Sequence, residues 1–221
     1  MSLCRHLPSK SWRRPVYSCY GSFMASKESD TRQHILDVAQ EVIAHSGYAA
    51  SGLTVVLKHA AVPKGSFYHH FPSKDAFGEA LMKNYFRTYL TTMDRIIADT
   101  SKTGTERTMD YWQWFYDVQT ADDCQGQCLV VKLAAEVSDL SEAMRLELVD
   151  GTSQIIDRLE KLLTIARDDG SLPAGAVQTT VRELAQSQYD SWLGASVLTK
   201  VQRTPEPLQR AMAGTRRLLG V

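Results

Sequence analysis

Residues 64–71 bring together side chains that can bind nucleic acid. If the segment is helical, Lys64, Gly65, Tyr68 and His69 fall on one arc of the helix. A cation, a phenol and an imidazole can contact phosphate oxygens and the edges of bases. The glycine leaves no side chain between the helix backbone and a duplex. The spacing therefore predicts a short helix with a DNA-contacting face.

The thiol of Cys128 is a second candidate for chemistry. Gly126 and Gln127 precede an apolar run, which predicts that a helix begins near Cys128. A cysteine at a helix N-terminus feels the positive end of the helix dipole, which favours its thiolate and raises its reactivity. Lys132 adds to this effect if it faces the same way, and Cys124 is a candidate resolving thiol. The alternative is that Cys128 is a buried, inert cysteine, which is the usual state of a free thiol.

An aromatic cluster at residues 111–116 is a candidate lining for an effector cavity. Such cavities are mainly apolar with few polar groups. We expect Trp112 and Phe115, with Trp192 from a later helix, to face the effector. The alternative is core packing, which is the commoner use of aromatic residues. A metal site is not expected, because the two cysteines at 124 and 128 have no His or Cys partners at ligand spacing.

Two further amphipathic segments precede residues 64–71. Apolar residues recur at helical spacing over 35–43, and Gly47 follows as a candidate left-handed cap. A shorter helix is predicted over 53–60, and Pro63 suits the first turn of the next helix. Two helices joined by a three- to four-residue turn, with the second polar outward, are typical of a helix-turn-helix. The alternative is an ordinary helical hairpin with Tyr and His on its surface.

Residues 31–77 resemble the DNA-binding domain of the TetR/AcrR family of bacterial one-component regulators. The matching residues are Gly47-Tyr48 and the run Val62-x-Lys64-Gly65-Ser66-x-Tyr68-x-His70-Phe71-x-Ser73-Lys74. The resemblance implies an all-α homodimer that binds a palindromic double-stranded DNA operator. It also implies a C-terminal domain that senses a small-molecule effector.

Roles for the DNA-contacting side chains follow as expectations. Lys64 is the candidate for reading a base, and Tyr68 and His69 for backbone or base edges. His70 is either a phosphate contact or a histidine packed near Phe67. The complete expected set is Thr54, Lys64, Gly65, Ser66, Tyr68, His69, His70 and Lys74.

The C-terminal half resembles a subgroup typified by the repressor of N-ethylmaleimide reductase and, more distantly, an acrylate-responsive regulator. The matching pieces are Gly126-x-Cys128-Leu129, Lys132-Leu133-x-Ala135-Glu136-Val137, Asp139-Leu140-Ser141-Glu142-x-Met144-Arg145, Trp192-Leu193-Gly194-Ala195, Lys200 and Glu206-Pro207-Leu208. Members of the subgroup sense electrophiles and oxidants through a cysteine that matches Cys128, and a lysine that matches Lys200 is associated with it.

The resemblance therefore implies that Cys128 is the sensor of an electrophile or oxidant. Ser138 stands where the relative carries a second cysteine, and Cys124 has no evident counterpart. These departures argue against a disulfide switch but not against a single-thiol one. The alternative is a non-covalent effector in the aromatic cavity.

The remaining helices are expected to connect and dimerise the molecule. Ser73 is a good N-cap for a long helix that ends near Asp99. A stripe at helical spacing is a candidate dimer contact, and a final helix is predicted over 208–219. The alternative is that the stripe belongs to the core of one subunit. The stripe consists of Val181, Leu184, Ala185, Gln188, Tyr189, Trp192, Ala195 and Ser196.

Composition limits the class of protein. The chain has 221 residues, 43% of them hydrophobic, and a formal net charge of zero. It can build a core, and its charge argues against a non-specific polyanion binder. Four cysteines show no disulfide framework, and no apolar run is long enough to span a membrane. A reducing bacterial cytoplasm, with association to the nucleoid, is the expected location.

Three regions are expected: 1–23, a basic extension; 24–72, a helix-turn-helix domain; and 73–221, a sensing and dimerisation domain. The extension is either a basic arm along DNA, a disordered tail, or the product of a misassigned start with Met24 as the true one. No phosphate loop, dinucleotide fingerprint, metalloprotease motif or nucleophile elbow is present, so neither an enzyme nor a cofactor is expected. A helical thiol enzyme or carrier is the remote alternative.

Overall fold

The computed structural model describes residues 27–48, 51–124, 128–176 and 180–221, and within these ranges all regular structure is helical. The all-α prediction is confirmed. The N-terminal extension, Met24, Gly126 and Gln127 lie outside the described residues, as does the side chain of Ser138. The helices are α1 (Lys27–Ser46), α2 (Leu53–Ala60), α3 (Lys64–His70), α4 (Lys74–Ala98), α5 (Gly104–Cys124), α6 (Leu129–Leu140), α7 (Glu142–Asp168), α8 (Val181–Gln202) and α9 (Glu206–Leu219).

Helices α1 to α3 form the helix-turn-helix unit that the sequence predicts. Gly47 has φ of +84° and ends α1 in the left-handed region. Ala61 is also left-handed, with φ of +54°, and its N–H donates to the carbonyl of Lys58. The next N–H, that of Val62, donates to the Leu57 carbonyl at 3.1 Å. These bonds satisfy the last carbonyls of α2 and turn the chain into α3.

The apolar side of α3 anchors it to the rest of the molecule. Phe67 and Phe71 are buried, and their ring centroids lie 5.1 Å apart. Phe77 at the start of α4 packs edge-on against both rings. The three rings form one small core, which fixes α3 against α4.

Helix α4 connects the helix-turn-helix unit to the larger helical body. It begins at Ser73, whose hydroxyl accepts from the Ala76 N–H at 3.0 Å, as the N-cap prediction requires. At its far end the buried guanidinium of Arg107 donates to the Ile97 carbonyl at 2.9 Å. α4 packs along α7, and two glycines bring the two helices close. A Cβ on Gly78 would lie 2.3 Å from Met144 Sδ, and one on Gly151 would lie 2.3 Å from the Phe86 ring.

Helices α8 and α9 differ from the expectation in one respect. The side chains of Val181, Ala185, Tyr189, Trp192 and Ser196 are buried within a single chain. The predicted dimer stripe therefore belongs largely to the subunit's own core. The error arises because α8 has two apolar faces. Its second face carries exposed Val197, Leu198 and Val201.

Helix α9 begins at Glu206, two residues before the predicted start, and Pro207 lies in its first turn. Proline is tolerated there because the first N–H groups of a helix have no intrahelical partner. Among the described residues, no helix is both long and apolar enough to cross a bilayer.

Candidate functional site

The outer face of the helix-turn-helix unit presents the expected polar side chains to solvent. Tyr68 is 49% exposed, whereas the preceding Phe67 is fully buried, so α3 divides into the two predicted faces. The exposed members of the expected set are Thr54, Lys64, Gly65, Tyr68, His69 and Lys74, and the half-buried ones are Ser66 and His70. A Cβ placed on Gly65 would meet no atom within 4 Å, so packing within the chain does not require this glycine.

His70 and Lys74 lie at the edge of this face. The His70 ring is 5.3 Å from the His69 ring and 6.4 Å from Phe71. The Lys74 ammonium lies 5.0 Å above the ring of Tyr48. The Tyr48 hydroxyl donates to the Lys74 carbonyl at 3.2 Å, which ties the end of α1 to the start of α4. Burial, then the charges of Asp75 and Glu136, raise the pKa of Tyr48 to about 12, so this hydroxyl stays a donor at neutral pH.

The second site is centred on Cys128. This residue is the N-cap of α6, is 5% exposed, and makes no side-chain hydrogen bond to the helix it caps. The Tyr85 hydroxyl from α4 lies 3.3 Å from Sγ, and either group can donate. Cys124 ends α5 in the left-handed region with φ of +64°, and both thiols are free and buried. The helix start predicted near Cys128 is confirmed.

A small enclosed space, here called the thiol cavity, adjoins Cys128. Its volume is about 10 Å³, which is room for roughly one water molecule. Pockets that bind drug-sized ligands measure about 300–1,000 Å³. In this conformation the thiol cavity is too small for a bulky effector. Its lining consists of Tyr85, Tyr89, Trp114, Phe115, Val118, Gln119 and Cys128.

Two lysines converge near the sulfur. Burial, the charge of Lys132 and a hydrogen bond to Lys132 lower the pKa of Lys200 from 10.5 to about 8, while Cys128 acts in the opposite direction. Lys132 lies one turn into α6, and Lys200 lies near the end of α8. A site with two cations beside a thiol at a helix N-terminus stabilises negative charge on sulfur.

The wall beyond the sulfur is formed by buried phenols. The hydroxyls of Tyr89 and Tyr111 lie 2.8 Å apart. Burial raises the pKa of Tyr89, Tyr111 and Tyr189 above their ordinary value, and the nearby Cys128 acts in the same direction on all three. These tyrosines are therefore neutral at physiological pH, and the positive charge near Cys128 comes from the lysines.

The structure separates the expected effector-contacting residues into two groups. Cys128 and Phe115 line the thiol cavity, and Lys132 and Lys200 lie beside it. Trp112 and Trp192 do not line it. Their rings stack at 4.5 Å and 12°, and the Trp192 indole N–H donates to the Thr215 hydroxyl at 2.9 Å. Their assignment to the effector cavity is therefore corrected to core packing, because each ring covers the other.

Sequence reasoning missed five lining residues: Tyr85, Tyr89, Trp114, Val118 and Gln119. Tyr85 and Tyr89 are four residues apart on α4, and Gln119 is four residues after Phe115 on α5. Helical spacing alone groups each pair on one face. It does not indicate that the two faces meet at Cys128, because that depends on how α4, α5 and α6 pack.

Helix α6 also contacts the helix-turn-helix unit. The Tyr48 backbone N–H, just after α1, donates to Glu136 Oε2 at 3.1 Å. Glu136 lies two turns along α6 from Cys128. A Cβ on Gly47 would come within 3.4 Å of the same carboxylate oxygen. One short helix thus carries the thiol at its start and, two turns on, a contact to the DNA-facing unit.

Comparisons with known proteins agree with this arrangement. Residues 35–81 match the sequence model described as bacterial regulatory proteins, tetR family, and residues 104–215 match that of the tetracyclin repressor-like C-terminal domain. The chain is 34% identical to the HTH-type transcriptional repressor NemR of Escherichia coli (strain K12) over 192 residues, covering 87% of this chain and 95% of NemR. It is 28% identical to the transcriptional regulator AcuR of Cereibacter sphaeroides, over 83% of each chain.

A solved structure shows the same fold. The crystal structure of Escherichia coli NemR in its reduced form superposes with a TM-score of 0.79 at 35% identity, covering 85% of this chain and 96% of that one.

Proposed function

This chain belongs to the TetR family of bacterial regulatory proteins, and on that premise we propose that it is a repressor released from its operator when a small electrophile or oxidant modifies Cys128. The observation that carries the proposal is the convergence on one buried thiol of a helix N-terminus, two lysines and the Tyr85 hydroxyl. A cysteine that served only to fill space would need none of these groups. Together they favour the thiolate, which is the form that attacks electrophiles.

DNA binding is assigned to the exposed face of the helix-turn-helix unit. Lys64 and Tyr68 lie at the centre of that face, and Lys74 lies at the start of α4 with its ammonium exposed. Two copies related by a two-fold axis would place two α3 helices in successive major grooves of a palindromic site in the bacterial chromosome. The proposed division of labour is residues 24–72 for DNA and residues 73–221 for sensing and dimerisation.

The second face of α8 is assigned to the dimer contact. Val197 is 44% exposed, Leu198 47% and Val201 74%. An open groove of about 460 Å³ lies beside them between α8 and α9, bordered by Gly194 and Gly214. Exposed apolar side chains next to a groove bordered by glycines suit close packing of the same two helices from a second copy.

Two contacts can carry a change at Cys128 to the DNA-facing unit. Tyr85 touches the sulfur and belongs to α4, whose first residue is Lys74. Glu136 belongs to α6 and holds the backbone of Tyr48. An adduct cannot fit in a cavity of about 10 Å³, so α4 and α6 must move apart to accommodate it. This favours a dimer whose α3 helices are mis-spaced for two major grooves.

A non-covalent effector is the second candidate function, and the size of the thiol cavity weighs against it. Such a ligand would have to open the packed aromatic core using only its own binding energy. A covalent adduct is retained once formed, so it can hold a minor open conformation populated.

The test is a DNA-shift titration on the chain's own upstream region, with and without a quinone, for wild type and Cys128→Ser. Release of wild type but not of Cys128→Ser is the expected result. Release of both proteins would move the sensor to a non-covalent site or to Cys124. Absence of binding would remove the DNA-binding assignment.

Mass spectrometry of the quinone-treated protein separates a sensor from a thiol enzyme. A sensor accumulates one adduct per chain on Cys128. An enzyme would consume excess quinone and return to its original mass.

A further inference from the structure

Two hydrogen-bond donors in the thiol cavity lack a partner. The Gln119 side-chain Nε2 and the Trp114 indole Nε1 are both buried, and neither has a hydrogen-bond acceptor among the described residues. Gln119 is 4% exposed. A buried donor without an acceptor is costly, and most native structures avoid it. Both donors line the same small cavity as Cys128.

We propose that Gln119 and Trp114 form a carbonyl-binding subsite that makes Cys128 selective for small α,β-unsaturated carbonyl compounds. The inference rests on the proposed function, because it concerns what the thiol of that sensor recognises. Both groups are donors, so their common ligand must be an acceptor, and a carbonyl oxygen can accept two hydrogen bonds. Their position beside the sulfur suits a molecule whose electrophilic carbon is two bonds from its carbonyl carbon.

The reaction is a conjugate addition that needs no further reagent. Sγ of the Cys128 thiolate bonds to the β-carbon, and the C=C π pair moves through the carbonyl to its oxygen, giving an enolate. The thiol proton, taken up by a nearby base, returns to the α-carbon, so that thiol and acceptor combine without loss of atoms. The negative charge develops on the oxygen that Gln119 and Trp114 contact. Donors placed at such a site stabilise the transition state more than the ground state.

Lys200 is suited to handle the proton. Burial and Lys132 lower its pKa to about 8, so near neutral pH both its protonated and neutral forms are accessible. Tyr85 contacts the sulfur and not the oxygen site, which leaves the two unpartnered donors to hold the carbonyl.

The subsite predicts discrimination between classes of electrophile. An alkyl halide reacts by displacement, with charge leaving on the halide and none developing on a carbonyl oxygen. Methyl vinyl ketone and allyl bromide are small probes of similar size that differ in this respect. The donors should accelerate the ketone and have little effect on the bromide.

The experiment measures the rate of Cys128 modification by intact-mass spectrometry for full-length wild type, Gln119→Leu and Trp114→Phe. Leu nearly matches the volume of Gln without its amide, and Phe keeps a ring without the indole N–H. Each variant should react with methyl vinyl ketone about ten- to a hundredfold more slowly than wild type. Reaction with allyl bromide should stay within about twofold, because displacement does not use the oxygen site.

Two results would overturn the subsite. Equal slowing with both probes would show that the substitutions only disturb packing or access. Unchanged rates with both probes would show that the donors hold water and nothing else. Labelling of Cys124 serves as a folding control, since a loosened variant would expose both thiols to both probes.

A separate readout distinguishes failure of the subsite from failure of the proposed function. Wild type fully modified by methyl vinyl ketone is titrated with operator DNA. Ketone-selective modification that leaves operator affinity unchanged would uphold the subsite and overturn release through Cys128. Loss of affinity with no selectivity between the probes would do the reverse.

Discussion

At the scale of single residues, the environment of Cys128 is defined more by charge than by volume. Its neighbours include a phenol at hydrogen-bonding distance and two lysines from different helices. The cation nearest its own deprotonation is Lys200, because burial and Lys132 both disfavour its charged form. The site is therefore expected to be sensitive to pH just above neutrality.

Lys200→Met should slow alkylation of Cys128 at pH 7 by about tenfold, because an adjacent cation raises the population of thiolate. Lys200 is protonated below its pKa of about 8 and neutral above it. The gap between wild type and variant should therefore close as pH rises through 8. Rates of N-ethylmaleimide addition from pH 6 to pH 10 would measure this.

Lys132→Gln provides the matched control. Removing that neighbouring charge raises the pKa of Lys200, so the pH at which Lys200 loses its effect should move upward. Parallel pH profiles for wild type and Lys200→Met would show that this lysine has no electrostatic role at the thiol.

How much of the site could be predicted depends on the range of the interactions. The N-cap position of Cys128 follows from local sequence, since Gly126 and Gln127 interrupt the apolar pattern just before it. The stacking of Trp112 on Trp192 could not be predicted, because the two residues are far apart in sequence and an aromatic pattern does not distinguish a cavity wall from a core. Gln119 was missed for the same reason, since its burial depends on packing between helices.

At the scale of elements, α6 is the direct connection between the thiol and the helix-turn-helix unit. Glu136→Ala removes the acceptor for the Tyr48 N–H and should leave the modification rate of Cys128 unchanged. It should weaken the effect of that modification on DNA by about fivefold or more, since coupling free energies are typically 1–3 kcal/mol. Anisotropy titrations of operator before and after modification would measure the ratio.

Asp139→Ala is the control for Glu136→Ala, because Asp139 is an exposed acidic residue on the same helix. It should retain the response of wild type. An undiminished response in Glu136→Ala would instead assign the coupling to the Tyr85 contact with α4.

Two glycines on different helices separate stability from DNA binding. Gly151→Ala should lower the free energy of unfolding by about 1–3 kcal/mol, because its Cβ would meet the Phe86 ring between α4 and α7. Gly65→Ala has open space and should leave stability unchanged or slightly raised, yet it should weaken operator binding by obstructing close approach of α3. Thermal melts and operator titrations of both variants test the pair. Full operator affinity in Gly65→Ala would remove the close-approach role.

At the scale of the whole molecule, the order and bounds of the helices were largely predictable, and their partners were not. Ser73 and Gly47 mark helix ends through local chemistry, and the structure confirms both. The apolar stripe on α8 was predicted from spacing, but spacing does not show whether such a face meets α9 of its own chain or a second copy. The structure resolves this by burying Tyr189 and Trp192 and exposing Val201.

Val201→Glu is therefore expected to dissociate the proposed dimer. Val201 is 74% exposed in the single chain, and a two-fold contact would bring two glutamates into one apolar interface, where neither has a partner. Sedimentation at micromolar concentration should show a monomer. Operator affinity should fall about a hundredfold or more, because each half-site would then be bound without the effective concentration that its linked partner supplies.

Val149→Glu is the matched control for this experiment, since Val149 is 53% exposed on α7, away from α8 and α9. It should remain dimeric and bind operator as wild type does. If Val201→Glu also remained dimeric with full affinity, two-fold pairing through the second face of α8 would be wrong. The spacing of the two α3 helices would then have to be set by another surface. Because the proposed release mechanism acts through that spacing, the same result would require a new account of how an adduct on Cys128 reaches the operator.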